Sequence, residues 1–173
     1  MSQLTVPVPT LGKTEPLFTD ALAVRMPVFV VEQCIPLENE IDLDDERSWH
    51  FVCYSNSGST PVGTLRIVPP PHAHHEGEGV PHDGDGGHVK VGRFATLKEF
   101  RGRGVGRALV DAAVAWLESE GDKVEGWDGR VLAHAQVGVR GVWERLGFAV
   151  DERMGVWDEE GIDHCGMWRT VRK

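Results

Sequence analysis

The chain has 173 residues, of which 40% are apolar, and a formal net charge of −9. This length favours one domain with a substantial core. The acidic balance argues against a nucleic-acid partner, because neutralising phosphates requires an excess of Lys and Arg. It is compatible with a cationic substrate. No apolar run is long enough to cross a membrane, and the opening residues lack the pattern of a secretory leader, so we expect neither.

Cysteine usage indicates the compartment. The three cysteines, Cys34, Cys53 and Cys165, are odd in number and scattered. Such a set fits a reduced compartment better than a disulfide framework, and we expect a cytoplasmic protein. The oligomeric state stays open between a monomer and a homodimer.

The first third of the chain predicts an edge strand, a broken helix and a hairpin. Residues 3–10 alternate loosely and include two prolines, which fit an edge strand. Apolar residues from Glu15 to Val31 follow a helical repeat that Pro27 must kink or restart. Two strands follow, over residues 49–54 and 62–68, and the segment that joins them has the composition of a hairpin loop.

An acidic stretch between the broken helix and the hairpin allows two interpretations. Its carboxylates are Glu32, Glu38, Glu40, Asp42, Asp44, Asp45 and Glu46. In the first interpretation they belong to a solvated loop and a short helix. In the second they line a mouth that attracts an amine, where Asp42 would contact the substrate.

Residues 69–87 are rich in proline, glycine and histidine. They are polar and poor in apolar residues, and we expect a flexible loop. The histidines are His72, His74, His75 and His82. No cysteine or carboxylate lies at structural-zinc spacing beside them, so we expect no metal site.

The central stretch, Val89 to Glu120, predicts a strand, a glycine-rich turn and a helix. Residues 89–97 alternate as in a strand, and the apolar residues after Val105 recur at helical spacing. Gly121 is the predicted C′ residue of this helix. The strand–helix order predicts a right-handed crossover to a parallel strand.

The turn between this strand and helix reads RGRGVG. Glycines let backbone N–H groups approach a ligand closely, and the positive end of a helix dipole attracts anions. The turn is therefore a candidate phosphate or pyrophosphate site, to which Arg101 and Arg103 add charge. The dinucleotide pattern G-x-G-x-x-G fails because Arg107 stands at its third glycine, and no Walker sequence occurs.

The last third of the chain predicts a strand, a short helix and a hairpin. The strand Arg130–Gln136 places His134 on one face, and the helix after it ends at Gly147, where Phe148 can pack back on the last turn. The tail predicts two strands around the turn Asp158–Asp163.

Several of these motifs together resemble one superfamily. Arg101-x-x-Gly104-x-Gly106 resembles Gln/Arg-x-x-Gly-x-Gly/Ala, the pyrophosphate signature of the GNAT superfamily of acyl-CoA-dependent N-acyltransferases. The string VWERLGF is similar to that family's helix-then-GF ending. The strings VFVVEQ, with the following P-x-x-x-x-x-D, and DEEGIDHCGM resemble the ElaA-like branch.

The resemblance implies an α/β fold: a mixed, mostly antiparallel sheet with helices on both faces and a splayed parallel strand pair. Acyl-CoA would lie in the gap of that pair. Backbone groups of Phe94, Ala95 and Thr96 would hold its pantetheine arm. The residues that would hold its pyrophosphate are Arg101, Gly102, Arg103, Gly104, Val105 and Gly106.

The resemblance also implies an enzyme that transfers an acetyl group from its co-substrate, acetyl-CoA, to the primary amine of a small molecule by direct attack. The amine must be neutral to attack, so a general base is needed. Glu32 follows four apolar residues, whose desolvation would raise its pKa. His134, on a strand expected to line the cleft, is the other candidate base. His164 and Asp42 stand behind them as substrate-binding residues.

One position departs from the family pattern. The helix tyrosine that often protonates the leaving thiolate is replaced by Trp143, whose indole N–H can at most hydrogen-bond the departing sulfur of the cofactor. Tyr54, the only tyrosine, lies on a different strand. Because the usual acid is absent, a non-catalytic acyl-CoA sensor is one alternative. An N-acetyltransferase of a protein or peptide amine is the other.

Overall fold

The computed structural model describes residues 3–55, 60–72, 81 and 86–172. The strands are β1 (Thr10–Leu11), β2 (Trp49–Ser55), β3 (Thr60–Val68), β4 (Val89–Thr96), β5 (Arg130–Gln136), β6 (Ala149–Val150), β7 (Val156–Glu159) and β8 (Ile162–Thr170). They form one eight-stranded sheet in the order β1-β2-β3-β4-β5-β8-β6, and β7 pairs with β8. β4 and β5 are parallel, whereas β1–β2, β2–β3 and the pairs made by β8 are antiparallel. The predicted mixed, mostly antiparallel sheet is confirmed.

The helices follow the predicted order. The α-helices are α1 (Leu17–Arg25), α2 (Leu37–Glu40), α3 (Val105–Glu120) and α4 (Arg140–Arg145). The break predicted at Pro27 is present, because a π-helical segment, Met26–Glu32, follows α1. Short 3₁₀ turns cover Leu43–Glu46, Lys98–Phe100, Gly121–Lys123 and Val137–Val139. Among the described residues, no helix has both the length and the apolar content that a bilayer crossing needs.

The parallel pair β4–β5 flanks α3 in the chain, as the strand–helix–strand order predicts. Its pairing joins Val89–Val91 to Val131–Ala133. Both strands continue beyond the paired residues, β4 to Thr96 and β5 to Gln136.

The chain divides into two compact units. The first comprises Met1–Val68 and Gly92–Trp116, and the second comprises Pro69–Val91 and Leu117–Lys173. The expectation of a single domain stays a prediction. Most of the predicted loop over residues 69–87, including His74, His75 and His82, lies outside the described residues.

In the first unit, helices cover both faces of β2. Side chains alternate along a strand, so Trp49 and Phe51 point to one face and His50 and Val52 to the other. The rings of Trp49 and Phe51 contact Trp116 of α3, at centroid distances of 4.6 and 5.9 Å. His50 contacts Phe18, and Val52 packs against Ala21, both on α1. α1 and α3 therefore pack on opposite faces.

Two glycines allow α3 to lie very close to the sheet. A Cβ at Gly63 of β3 would stand 2.4 Å from Val105 Cγ1, and one at Gly106 would stand 2.9 Å from Phe94 Cζ of β4. No side chain fits at either position without displacing its neighbour. These contacts fix the first turn of α3 against β3 and β4.

The predicted helix ends are half confirmed. Gly147 has φ +84°, and the amide of Phe148 donates to the carbonyl of Trp143, which is the Schellman arrangement that the sequence predicts. The helix α3 ends at Glu120, directly before Gly121 as predicted, but Gly121 lacks the positive φ of a typical C′ glycine, and the chain continues into the 3₁₀ turn Gly121–Lys123. Glycine is needed there because a Cβ would stand 2.3 Å from the Trp127 ring.

A buried network of charges joins α1, β3 and β4 to the acidic stretch. Its members are Arg25, Arg66, Arg93, Glu40, Asp42 and Asp45, whose formal charges sum to zero. Arg25 binds Asp45 with both terminal nitrogens, at 2.9 and 3.1 Å. Arg66 binds Asp42 in the same two-pronged way, at 2.6 Å on each side, and reaches Asp45 at 2.7 Å. The network ties the acidic stretch to three separate elements.

Arg93 brings β4 into this charge network. Its φ is +50°, in the left-handed region that non-glycine residues seldom occupy. Its Nη2 lies 3.0 Å from Asp42 Oδ2 and 2.9 Å from the carbonyl oxygen of Asn39. These contacts help to hold the unusual backbone conformation.

Replacing Asp45 with Asn removes one counter-charge from two buried arginines, so we expect the free energy of unfolding to fall by about 3–5 kcal/mol. The matched control is Asp44→Asn, because Asp44 makes a partly exposed ion pair with Arg47, and such pairs contribute about 0–1 kcal/mol. Urea denaturation measures both variants. Equal losses would contradict the importance of the buried network.

The same network predicts how stability changes with pH. Burial lowers the pKa of the His50 imidazole, whose Nε2 donates to the main-chain oxygen of Asp45. Below about pH 6.5 the unfolded chain therefore binds a proton that the folded chain does not, and stability falls as pH falls. Burial opposes the ionisation of Asp45, but Arg25 and Arg66 lower its pKa to about 2. A second loss, of about 2 kcal/mol, should then follow between about pH 4 and pH 2.

Urea denaturation of the wild type and His50→Gln over this pH range isolates the first loss. The stability advantage of the wild type over His50→Gln should shrink as pH falls from 7 to 5. An advantage that grows over that interval would mean that the folded chain protonates His50 more readily than the unfolded chain does.

Candidate active site

The glycine turn before α3 exposes bare backbone. Gly102 and Gly104 have φ values of +74° and +87°, and a Cβ at either position would have no neighbour within 4 Å. The carbonyl of Gly104 accepts the amide of Ala108 at 2.9 Å, so the helical hydrogen bonds begin there. The first amides of such a helix have no partner inside it and carry the positive end of its dipole. The turn can therefore receive an anion without rearrangement of a side chain.

Arg101, the first residue of the turn, is already paired. Its Nη1 and Nη2 each lie 2.7 Å from a carboxylate oxygen of Glu32, and its Nε donates to the carbonyl of Thr96 at 3.1 Å. Hydrogen bonds from Arg101 lower the pKa of Glu32 below its usual range. The expectation that desolvation raises the pKa of Glu32 is wrong, because its side chain is 39% exposed and paired.

Apart from Trp143, the other residues predicted to hold the cofactor also lie in the first unit. Ala95 is buried against Val24 and Val28. Val105 is buried, and Arg103 stacks its guanidinium over the Phe100 ring, 5.6 Å from the centroid. Together with Phe94, Thr96 and the turn glycines they form one continuous stretch around the start of α3, and their roles stay predictions.

The acidic stretch is neither a fully solvated loop nor a mouth lined throughout by open carboxylates. Glu40 and Asp45 are buried and paired with arginines, so they are neither solvated nor open to an amine. Asp42, predicted to contact substrate, shares its charge with Arg66 and Arg93. Its substrate role stays a prediction, but its negative charge is largely neutralised.

The second unit contains His134 beside a carboxylate. His134 lies on β5, with Nδ1 2.9 Å from Oε1 of Glu159 on β7. The same oxygen accepts a hydrogen bond from Nε1 of Trp157 at 2.6 Å. Burial opposes the ionisation of Glu159, but contacts with His134 and Trp157 outweigh burial and lower its pKa to about 2. The ionised carboxylate of Glu159 is therefore hydrogen-bonded to one ring nitrogen of His134.

The remaining predicted residues of the second unit are buried. His164 on β8 contacts the carbonyl of Ile162 through Nδ1 at 2.8 Å. Trp143 of α4 packs its ring edge against Phe148, with centroids 4.9 Å apart. Their roles toward substrate and cofactor stay predictions.

Tyr54 is a poor general acid near neutral pH, because its pKa is raised. Its hydroxyl donates to Asp20 Oδ2 at 2.6 Å. Burial and the Asp20 carboxylate raise the pKa of Tyr54 above its ordinary value. Its proton is therefore held more tightly than that of a tyrosine in water.

Two features of these sites escaped the sequence reasoning. Arg66 lies in the apolar strand VGTLRIV. A charged residue is seldom buried unless it is paired, so its position alone predicts a buried carboxylate partner. The sequence predicts a turn at Glu159, but Glu159 is the last residue of β7 and shares a strand face with Trp157 two residues before it. Within the described residues, no group of three or more His, Cys, Asp or Glu side chains is arranged to hold a metal ion.

This chain is similar to acetyltransferases in both sequence and structure. The model of the Acetyltransferase (GNAT) family matches residues 18–148. YjcF of Bacillus subtilis, named an uncharacterized N-acetyltransferase, is 30% identical over 92% of this chain and 96% of its own. The structure is similar to Escherichia coli ElaA, with TM-score 0.68 and 25% identity over 98% of this chain and 99% of ElaA. It is also similar to an acyl-CoA N-acyltransferase from Pseudomonas aeruginosa, with TM-score 0.69 and 26% identity over 98% and 100% of the two chains.

Proposed function

Because this chain belongs to the GNAT family of acetyltransferases, we propose that it transfers the acetyl group of acetyl-CoA to a primary amine of a small molecule. The bare turn at Gly102 and Gly104 carries the proposal, since its main chain can approach a pyrophosphate as no residue with a Cβ could. Acetyl-CoA supplies the acetyl group as a thioester. The similarity to ElaA agrees with the resemblance that the sequence motifs show.

The residues around the turn suit the cofactor. Amides at the start of the sixteen-residue helix α3 would take the pyrophosphate. Backbone groups of Phe94, Ala95 and Thr96 would take the pantetheine arm, and an N–H near Ala95 would stabilise the oxyanion of the tetrahedral intermediate.

We assign the general base to His134 rather than to Glu32. A base must accept the proton that the ammonium form of the amine loses before its nitrogen attacks. Glu32 is poorly suited, because Arg101 occupies both of its oxygens and lowers its pKa. His134 contacts Glu159 through Nδ1, so the neutral ring carries its lone pair on Nε2, the atom to which we assign the proton. Glu32 instead holds the guanidinium of Arg101 at the turn.

The leaving group needs no acid on the protein. When the N–C bond has formed and the C–S bond breaks, CoA departs as a thiolate, and a thiol of pKa about 8.5 is a tolerable leaving group. Trp143 cannot release its indole proton near neutral pH, and Tyr54 holds its proton tightly. Solvent would protonate the thiolate after it departs.

Gly104→Ala tests the turn against a matched control. Both Gly104 and Gly155 have positive φ and open space at the Cβ position, so alanine costs similar backbone strain at each. Gly104→Ala should weaken acetyl-CoA binding about tenfold or more, since each lost hydrogen bond to a charged group is worth about 1.5–3 kcal/mol. Titration calorimetry should show wild-type affinity for Gly155→Ala. Equal affinities in the two variants would place the cofactor elsewhere.

His134→Gln and Glu32→Gln test the base, with a panel of small amines and lysine peptides and thiol release as the readout. His134→Gln should lower kcat about 10²-fold or more, the usual size for a lost general base, with acetyl-CoA binding kept. Glu32→Gln should change acetyl-CoA affinity more than kcat. The reverse pattern would return the base to Glu32. Wild-type binding of acetyl-CoA without amine-dependent thiol release from any amine would favour a sensor.

A further inference from the structure

The carboxylate of Glu159 accepts from two ring N–H groups at one oxygen. His134 Nδ1 lies 2.9 Å away and Trp157 Nε1 lies 2.6 Å away, both from Oε1. The rings of His134 and Trp157 also contact each other edge to face, with centroids 5.0 Å apart. Both this hydrogen bond and this aromatic contact restrain the histidine ring.

Sheet pairing brings these residues together from two strands. β5 and β7 both pair with β8: His134 stands opposite Gly166, Trp157 opposite His164 and Glu159 opposite Ile162. Trp157 and Glu159 are two residues apart and point to the same face of β7. The Met154 side chain fills the space that a Cβ at Gly166 would occupy. The contact is thus built into regular β structure.

The contact decides which ring nitrogen carries the proton. An ionised carboxylate only accepts hydrogen bonds, so His134 must present Nδ1–H to Glu159. In the neutral ring the lone pair then resides on Nε2. A carboxylate on the far side of the ring also stabilises the imidazolium that forms when Nε2 takes a proton.

We propose that Glu159 is a positioning residue for acetyl transfer, which fixes the tautomer and orientation of His134 and is itself held in place by Trp157. This inference rests on the proposed function, in which His134 is the base. It adds a carboxylate, held by an indole N–H, that orients the base without touching either substrate.

One other ionisable group acts on this carboxylate from β8. The charge of His164 acts on Glu159, although the Nδ1 of His164 is engaged with the Ile162 carbonyl. The experiment must therefore resolve His134 from His164. Nitrogen-15 NMR of the histidine rings does so, because each ring reports its own tautomer and its own titration midpoint.

The decisive variant is Glu159→Gln, which keeps an accepting oxygen and loses the charge. Glu160→Gln, the same change at the next and exposed residue, is the matched control. In Glu159→Gln the titration midpoint of His134 should move to lower pH by about one unit or more, as expected when an opposite charge is lost from within 4–6 Å. The acidic limb of the kcat profile should move in the same direction. In Glu160→Gln both should stay at their wild-type values.

Kinetics then separate positioning from catalysis. In Glu159→Gln kcat should fall by less than in His134→Gln, with acetyl-CoA affinity kept. Trp157→Phe keeps an aromatic ring against His134 but removes the donor to Oε1, so its kcat should lie between that of the wild type and that of Glu159→Gln. If Glu159→Gln does not fold, Trp157→Phe tests the same positioning role.

Two outcomes would overturn the inference: a wild-type His134 ring protonated at Nε2 when neutral, or an unchanged His134 midpoint in Glu159→Gln. The NMR measurement needs no turnover. A wild-type protein that releases no CoA with any amine would contradict the proposed function. The NMR result would still show separately whether Glu159 fixes the tautomer of His134.

Discussion

The first unit depends on the balance of charge beneath its acidic stretch. Three arginines from α1, β3 and β4 meet three carboxylates that lie within six residues of one another, between Glu40 and Asp45. Burying any one of these charges alone would cost several kcal/mol, by order of magnitude. Each partner is therefore needed by the others, and an irregular, polar stretch is held as firmly as a core element.

This network reaches the strand that leads to the glycine turn. Arg93 of β4 is bound to Asp42 in a left-handed conformation, and β4 continues through Phe94 and Thr96 to the turn. The close contacts of Gly63 and Gly106 then fix the start of α3. The main chain that presents the bare amides is thus held by ion pairs on β4 and by tight packing on α3. That this main chain binds an anion stays a prediction; a main chain held in this way would lose little entropy on binding.

The local patterns of the sequence were enough to predict the central elements. Alternation predicts β4, helical spacing predicts α3, and Gly147 with Phe148 predicts the end of α4, because each depends on neighbours a few residues apart. The partners of the acidic stretch could not be predicted in this way, since Arg25 and Arg93 lie 15 and 53 residues from Glu40. For the same reason the pKa of Glu32 was predicted in the wrong direction: its partner, Arg101, is 69 residues away. Glu159 reaches His134 only because β8 pairs with both of their strands.

Amide NMR of the ¹⁵N-labelled chain tests most directly whether the main chain of the turn binds acetyl-CoA. During titration with acetyl-CoA, the amide resonances of Gly102–Gly106 should shift together and saturate at one concentration, because a pyrophosphate would accept hydrogen bonds from these N–H groups. Saturable binding that leaves these amides unmoved, while resonances elsewhere shift, would contradict the account.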